Sequence, residues 1–231
     1  MTFIQPQDLP FLPHPFFIVT EGMGDARFVD ELLQLNQITN CGVGCPSTKS
    51  AGGTGKNAFP KYTLAVQGAR TRVQSVPLQG LLAVADANGD AKKSFDAVAN
   101  ALDNAQFPKP NNAFEIVEAN GFRVAVYMIP GAGQTGTLEH LLLRAVFKKS
   151  PILEQCLNEF SICSGGLYSR DPNSDAKMRM SVLAGAFCDK HPWTPVSNIW
   201  SEPANPVPIT SDEFNHLTEF IRRFSAVNGN G

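Results

Sequence analysis

Five consecutive apolar residues, Leu81-Leu82-Ala83-Val84-Ala85, run straight into Asp86-Ala87-Asn88-Gly89-Asp90, and no other stretch narrows the possible folds as much. An unbroken apolar run closed by turn residues fits a strand buried on both faces, as in a parallel sheet covered by helices. Gly89 breaks the strand, and Lys92 to Leu102 then carries Phe95, Val98, Ala99 and Leu102 on one helical face. Asp86, Asn88 and Asp90 are thereby expected at the carboxyl end of a central strand, where open α/β sheets place ligands. Hard oxygen donors on a short turn suit Mg²⁺. Asp90 has a simpler reading as the N-cap of the helix, which comes first for that residue, and Asn88 one as a turn former. Asp86 is different, because a carboxylate ending so apolar a strand needs a partner or a metal.

The pattern recurs along the chain. Residues 1–15 hold four prolines and no periodicity, an irregular arm. Phe16 to Thr20 reads as a short buried strand that ends at Glu21-Gly22-Met23-Gly24-Asp25. Asp25 is placed to cap the following helix, whose inner face carries Phe28, Val29, Leu32 and Leu33. Strand, glycine turn and amphipathic helix open a βαβ unit. The turn is not a dinucleotide fingerprint, since Arg27 stands where the third glycine belongs. Residues 39–56 are rich in Gly, Ser, Thr and Cys and read as a flexible connection. Gly52 to Asn57 is not a P-loop either, because Ser50 replaces the first glycine and Asn57 the metal-binding Ser or Thr. A helix is expected over 58–67 with Pro60 in its first turn. Strands are expected at Phe114 to Val117 and Phe122 to Ile129, joined at Asn120-Gly121. The small-residue loop Pro130 to Gly136 lets backbone approach a ligand closely, and Thr137 caps a helix with Glu139 in its first turn, where dipole compensation is the ordinary role. From Ser150 onwards the chain is helix after helix. Ile152, Leu153, Cys156, Leu157 and Phe160, then Met178, Val182, Leu183, Ala186 and Phe187, form stripes expected to face the core.

The net charge of -2 argues against coating nucleic acid by bulk charge. Its distribution is uneven, however. No Asp or Glu occurs from Leu32 to Ala85, while Lys49, Lys56, Lys61, Arg70 and Arg72 do. That basic segment suits a phosphate-bearing ligand as well as it suits a solvated surface. The five cysteines lack zinc-site spacing, and with no signal core or membrane span evident the chain is expected to be cytoplasmic with reduced thiols. The histidines, His14, His140, His191 and His216, are scattered, in the manner of surface or capping residues.

Taken together, Phe17-Ile18-Val19-Thr20-Glu21-Gly22 with Asp25 and Phe28, Gly52-Gly53 with Lys56-Asn57, Ala83-Val84-Ala85-Asp86-Ala87-Asn88, Pro130, and Gly136-Thr137-Leu138-Glu139 carry a resemblance. The chain resembles the Toprim fold shared by topoisomerases, bacterial primases, small RNA-maturation nucleases and OLD-type nucleases, and is more closely similar to a largely prokaryotic Toprim-like family of about this length. The resemblance covers most of the chain from about Phe16. It implies that Glu21 is a general acid/base and that Asp86 opens an Asp-x-Asp pair for Mg²⁺ (or Mn²⁺), both catalytic. The second Asp of that pair is Asn88 here, which keeps an oxygen but removes a charge and weakens the metal; Asp90 restores the charge if it turns inward.

The expected fold is therefore α/β: a Toprim/Rossmann-like, mainly parallel sheet over 16–149 flanked by helices, with a helical extension over 150–231 packed on the same core. The expected function is Mg²⁺-dependent phosphoryl transfer, foremost as a nuclease. Glu21, Asp86, Asn88 and Asp90 would hold the metal, Lys56, Arg70 and Arg72 the phosphate, with Asp25 and Glu139 at the rim. The alternative is a non-catalytic relative that binds nucleic acid, a nucleotide or a partner protein, with no membrane involved. A nucleotide-cofactor oxidoreductase lacks its glycine fingerprint, and a serine hydrolase its Gly-x-Ser-x-Gly elbow.

Overall fold

A computed structural model describes residues 12–70, 76–164, 171–188, 196–202 and 204–226. Phe16–Thr20 forms β1, Met23–Leu35 α1, Cys41–Gly44 β2, Thr48–Ala51 α2 and Phe59–Arg70 α3. Gly80–Asp86 is β3, Ala91–Asn104 α4, Ile116–Ala119 β4 and Phe122–Ile129 β5. The remaining helices are Leu138–Lys149 (α5), Pro151–Cys163 (α6), Pro172–Phe187 (α7) and Asn215–Phe224 (α8), with short 3₁₀ turns at Val196–Ser201 and Asp212–Phe214.

The five strands make one sheet in the order β2-β1-β3-β5-β4. β1, β2, β3 and β5 are parallel, and only β4 runs antiparallel, against β5. The chain leaves β1 for β2 on one side and then crosses back to β3 on the other. The carboxyl ends of β1 and β3, paired as Thr20 with Val84, thus flank a topological switch point. Alternate residues of each strand feed two cores. Phe16, Ile18, Leu82, Val84, Tyr127 and Ile129 pack with α1, α5, α7 and α8, whereas Phe17, Val19, Leu81, Ala83, Val124 and Met128 pack with α3 and α4. The later helices bury Leu157, Met180, Leu183, Phe214 and Phe220 in the first of these cores, so the C-terminal region shares it with the sheet.

Several elements depart from the sequence expectation for physical reasons. Cys41-Gly42-Val43-Gly44, within the stretch read as a flexible connection, is a fully buried strand, placed by its parallel pairing with β1 rather than by any side-chain alternation. Asp25 is not the N-cap of α1: Gly22 takes that position, and the Asp25 carboxylate reaches back from the first turn to the Gly22 backbone N–H. β4 begins two residues late because Phe114 adopts φ +66, outside strand geometry. Asn120 and Gly121, at φ +53 and +72, make the expected tight hairpin turn. The stripe on α6 does not face inward. Only Leu157 is buried, with Leu153 packed beside it, while Ile152 is 61% and Phe160 44% exposed, because α6 touches the body through its contact with α5. On α7 the buried face runs through Ala176, Met180, Leu183 and Ala184, leaving Val182 outside. Among the described residues no helix is long and apolar enough to cross a membrane.

Candidate functional site

The switch point is built from three turns. Thr20 ends β1 fully buried, and its Oγ1 donates to the Gly22 carbonyl at 3.0 Å, fixing the turn that presents Glu21. β3 ends at Asp86. Two residues on, Asn88 sits at φ +53, a left-handed conformation that Asn tolerates better than most residues. There it exchanges two backbone hydrogen bonds of 2.7 Å with Gly136. The third turn follows β5 and opens α5. Gly136 has φ +131, and a Cβ on it would lie 3.0 Å from His140 Nδ1, so only glycine fits. His140 Nδ1 accepts the Thr137 backbone N–H at 3.1 Å, the capping role. Burial lowers the proton affinity of His140, against the opposing Glu139 charge, which agrees with an accepting Nδ1. Thr137 Oγ1 donates to Glu139 Oε2 at 2.6 Å.

These turns draw Glu21, Asp25, Asp86 and Glu139 into one electrostatic cluster of half-buried carboxylates. Asp86 Oδ1 accepts the Leu138 backbone N–H at 2.9 Å, at the start of α5. Burial first, and then the charges of Asp25, Glu21 and Glu139, raise the Asp86 carboxyl well above the usual carboxylate range. Burial together with Glu21 and Glu139 pushes Asp25 up to about 7, against the Gly22 N–H and Lys177. Burial also raises Glu21, while Lys56 and Lys177 pull the other way. Glu21 further lines a cleft of about 610 Å³ with Lys56, Asn57, Asn88, Asp90, Lys93 and Asn173.

The residues singled out in the sequence therefore separate into groups. Glu21, Asp86, Asp25 and Glu139 come together, the last two as full members of the cluster rather than its rim. Asn88 lines the cleft, but its Nδ2 donates back to the Asp86 carbonyl at 3.0 Å. Asp90 is the N-cap of α4, accepting the Lys93 backbone N–H at 2.9 Å, and lines the cleft with Glu21 without being among the charges that act on Asp86. Lys56 stands at the cleft beside Glu21. Arg70 does not: its guanidinium lies 4.1 Å from the centre of the Phe122 ring, at the amino end of β5 and hence at the opposite edge of the sheet. Arg72 lies outside the described residues. Sequence reasoning missed Lys177 and Asn173, which α7 carries to the site. Nothing local marks them, because they are ordinary polar residues of a helix placed by long-range packing.

The oxygen-only donor set, with its mutual repulsion, has the chemistry that a hard divalent cation would satisfy. Among the described residues no group of three or more His, Cys, Asp or Glu side chains is arranged to hold a metal ion as it stands. All five cysteines are free, and burial, assisted by Asp25, pushes the Cys45 thiol up to about 12, so it stays protonated.

The fold and the cluster define a doubly wound α/β protein with an acidic centre at its switch point. Residues 15–223 match the model of a family described as "Protein of unknown function (DUF3226)", and the chain belongs to that family. No curated protein and no solved structure matches it.

Proposed function

We propose that this chain is a Toprim-like, Mg²⁺-dependent phosphoryl-transfer protein, foremost a nuclease. The observation that carries the reading is the convergence of Glu21, Asp25, Asp86 and Glu139 at the switch point, with carboxyl groups that hold protons too tightly for so acidic a site to be at ease without a cation. A divalent ion held by Asp86 with Asp25 or Glu139 would neutralise charge developing on a phosphoryl group. Glu21 would take the proton: burial raises its proton affinity, while Lys56 and Lys177 restrain the rise. Lys56 and Lys93 line the same cleft and supply positive charge for a phosphate. The Asp86–Leu138 hydrogen bond fixes one carboxylate oxygen.

The test is cleavage of single- and double-stranded DNA and RNA by the purified protein, with Mg²⁺ or Mn²⁺ and with chelator, alongside Glu21→Gln. Metal-dependent cutting that Glu21→Gln abolishes is the expected result. Absence of cutting on every substrate overturns the nuclease reading. One observation favours a second reading, a non-catalytic relative that binds nucleic acid, a nucleotide or a partner protein. Asn88, where the second acidic ligand would stand, spends its side-chain donor on the Asp86 carbonyl. Saturable nucleic-acid binding without turnover supports that reading.

A further inference from the structure

The loop from Pro130 to Gln134 also walls a second cavity, of about 620 Å³, outside the acidic cleft. That volume lies within the usual range of small-molecule sites. His216, Phe220 and Arg223 reach it from one face of α8, Arg144 and Lys148 from α5, and Tyr127 from β5. Its inner wall is aromatic. Tyr127 lies 5.0 Å from Phe114, edge to face, and 5.4 Å from Phe220. Phe114 is the half-buried member of the three, held at φ +66, a conformation a bulky residue adopts only when its surroundings impose it.

The charges at the mouth do not cancel. Lys148 is committed to Asp212, with 2.7 Å to each carboxylate oxygen. Arg144 donates from Nη1 to Gln134, and its buried Nε pairs with Glu213 Oε2 at 3.4 Å. Arg223 lies over the Phe220 ring at 5.4 Å and makes no ion pair among the described residues. Three cations against two carboxylates leave a positive charge at this cavity, in a chain whose net charge is -2. Burial pushes the Tyr127 hydroxyl up to about 12, so it remains a neutral donor. The unpaired Arg223 guanidinium beside an aromatic wall suits an anion with several acceptor oxygens and a flat apolar body.

We propose that this cavity is a second ligand site, which binds a phosphomonoester bearing a planar ring, the chemistry of a nucleoside monophosphate. Arg223 holds the phosphate, and the ring lies against Phe114. The site is independent of the acidic cluster.

Calorimetric titration of the full chain in chelator, with adenosine 5′-monophosphate, adenosine and inorganic phosphate as separate probes, tests it. The monophosphate should bind saturably, and roughly tenfold or more weaker in Arg223→Gln, a change at an exposed position that removes one charge-assisted contact. Adenosine and phosphate alone should each bind more weakly than the monophosphate. Phe114→Leu, checked for an unchanged melting profile, should weaken the monophosphate and leave phosphate alone unaffected. Glu21→Gln and Lys56→Ala should leave the affinity unchanged. Undetectable binding of the monophosphate overturns the proposal, as does equal affinity for adenosine. So does binding that survives Arg223→Gln but is lost in Lys56→Ala, which would move the ligand to the cleft.

Discussion

Asp86 and Leu138, fifty-two positions apart in sequence, are joined by a 2.9 Å hydrogen bond from the Leu138 backbone N–H to the Asp86 carboxylate. The bond ties the end of β3 to the start of α5, so one side chain serves both as a member of the acidic cluster and as an acceptor at a helix N-terminus. The two roles respond differently to substitution. Asp86→Asn keeps an oxygen for Leu138 and removes a charge from a repelling cluster. In chelator near pH 8 it should melt at or above the wild-type temperature. Asp86→Ala loses the acceptor as well and should fall below Asp86→Asn by about 1 kcal/mol. Thermal melts of the three proteins side by side check this, and identical behaviour of the two variants would show that the bond contributes nothing.

The raised carboxyls fix the direction of the pH dependence. Asp25 keeps its proton up to about 7 in the folded chain, whereas an unfolded Asp releases it near 4. Between those values the folded state binds more protons than the unfolded one, so this group's contribution to stability is full below about pH 4 and is lost as pH rises through about 7. Asp86 acts in the same direction. In chelator, the melting temperature of Asp25→Asn should therefore fall less than that of the wild type between those limits. Parallel profiles would mean that Asp25 titrates normally.

Strand β3, helix α4 and the acid-bearing ends of β1 and β3 were legible because each rests on a local signal: an unbroken apolar run, a 3.6-residue stripe, or a carboxylate abutting a buried strand. The parallel arrangement that puts Glu21 and Asp86 at one edge follows from those signals. The partition of the acids was legible in part: the capping role that comes first for Asp90 is the one observed, while the drawing of Asp25 and Glu139 fully into the cluster with Asp86 was not. Asp90 and Asp86 stand four positions apart, and only the path of the backbone through Asn88 turns one to cap α4 and leaves the other facing Asp25. Arg70 illustrates the converse: its place in a basic stretch suggested phosphate, but twelve residues of helix α3 carry it to the far edge of the sheet. Lys177 and the outward stripe of α6 depend on which helix packs against which, information spread over the whole chain.

Asn88 is held by its conformation as much as by its contacts. Asn88→Ala loses the Nδ2 bond to Asp86 O and places a less tolerant residue at φ +53, and should destabilise the fold by ~1–2 kcal/mol. Asn88→Asp also loses the donor and sets a carboxylate against a carbonyl oxygen, so it should destabilise the apo protein even if it strengthens metal binding. Denaturant unfolding with and without Mg²⁺ separates the two effects. A neutral Asn88→Ala would show that the turn is held without this side chain.

Because α7 and α8 complete the core on which β1, β3 and β5 rest, the first half of the chain is not expected to fold alone. Phe224 meets Phe16 edge to face at 5.5 Å, and Arg123 donates to the Phe224 carbonyl at 3.1 Å. A 1–149 fragment would expose Phe16, Leu82, Val84 and Tyr127 and should aggregate on expression. A soluble fragment with a cooperative melt would contradict the shared core.

The proposed metal has its own thermodynamic signature. If a divalent cation occupies the cluster, Mg²⁺ or Mn²⁺ should raise the melting temperature by an amount that grows with the logarithm of its concentration above Kd. The rise should be larger near pH 8 than near pH 6, because protons compete for Asp25, whose carboxyl is pushed up to about 7, over that interval. Asp86→Asn should remove the effect, and Asp25→Asn or Glu139→Gln should reduce it. Asp90→Asn should retain it, since that side chain is engaged in capping α4 and is not among the charges that act on Asp86. The position of Asp90 makes it the internal control: loss of the metal effect in Asp90→Asn but not in Asp86→Asn would place the ion on the α4 side of the cleft. Melting temperatures that ignore divalent ions in every variant would sink the metal site and leave the binding reading ahead.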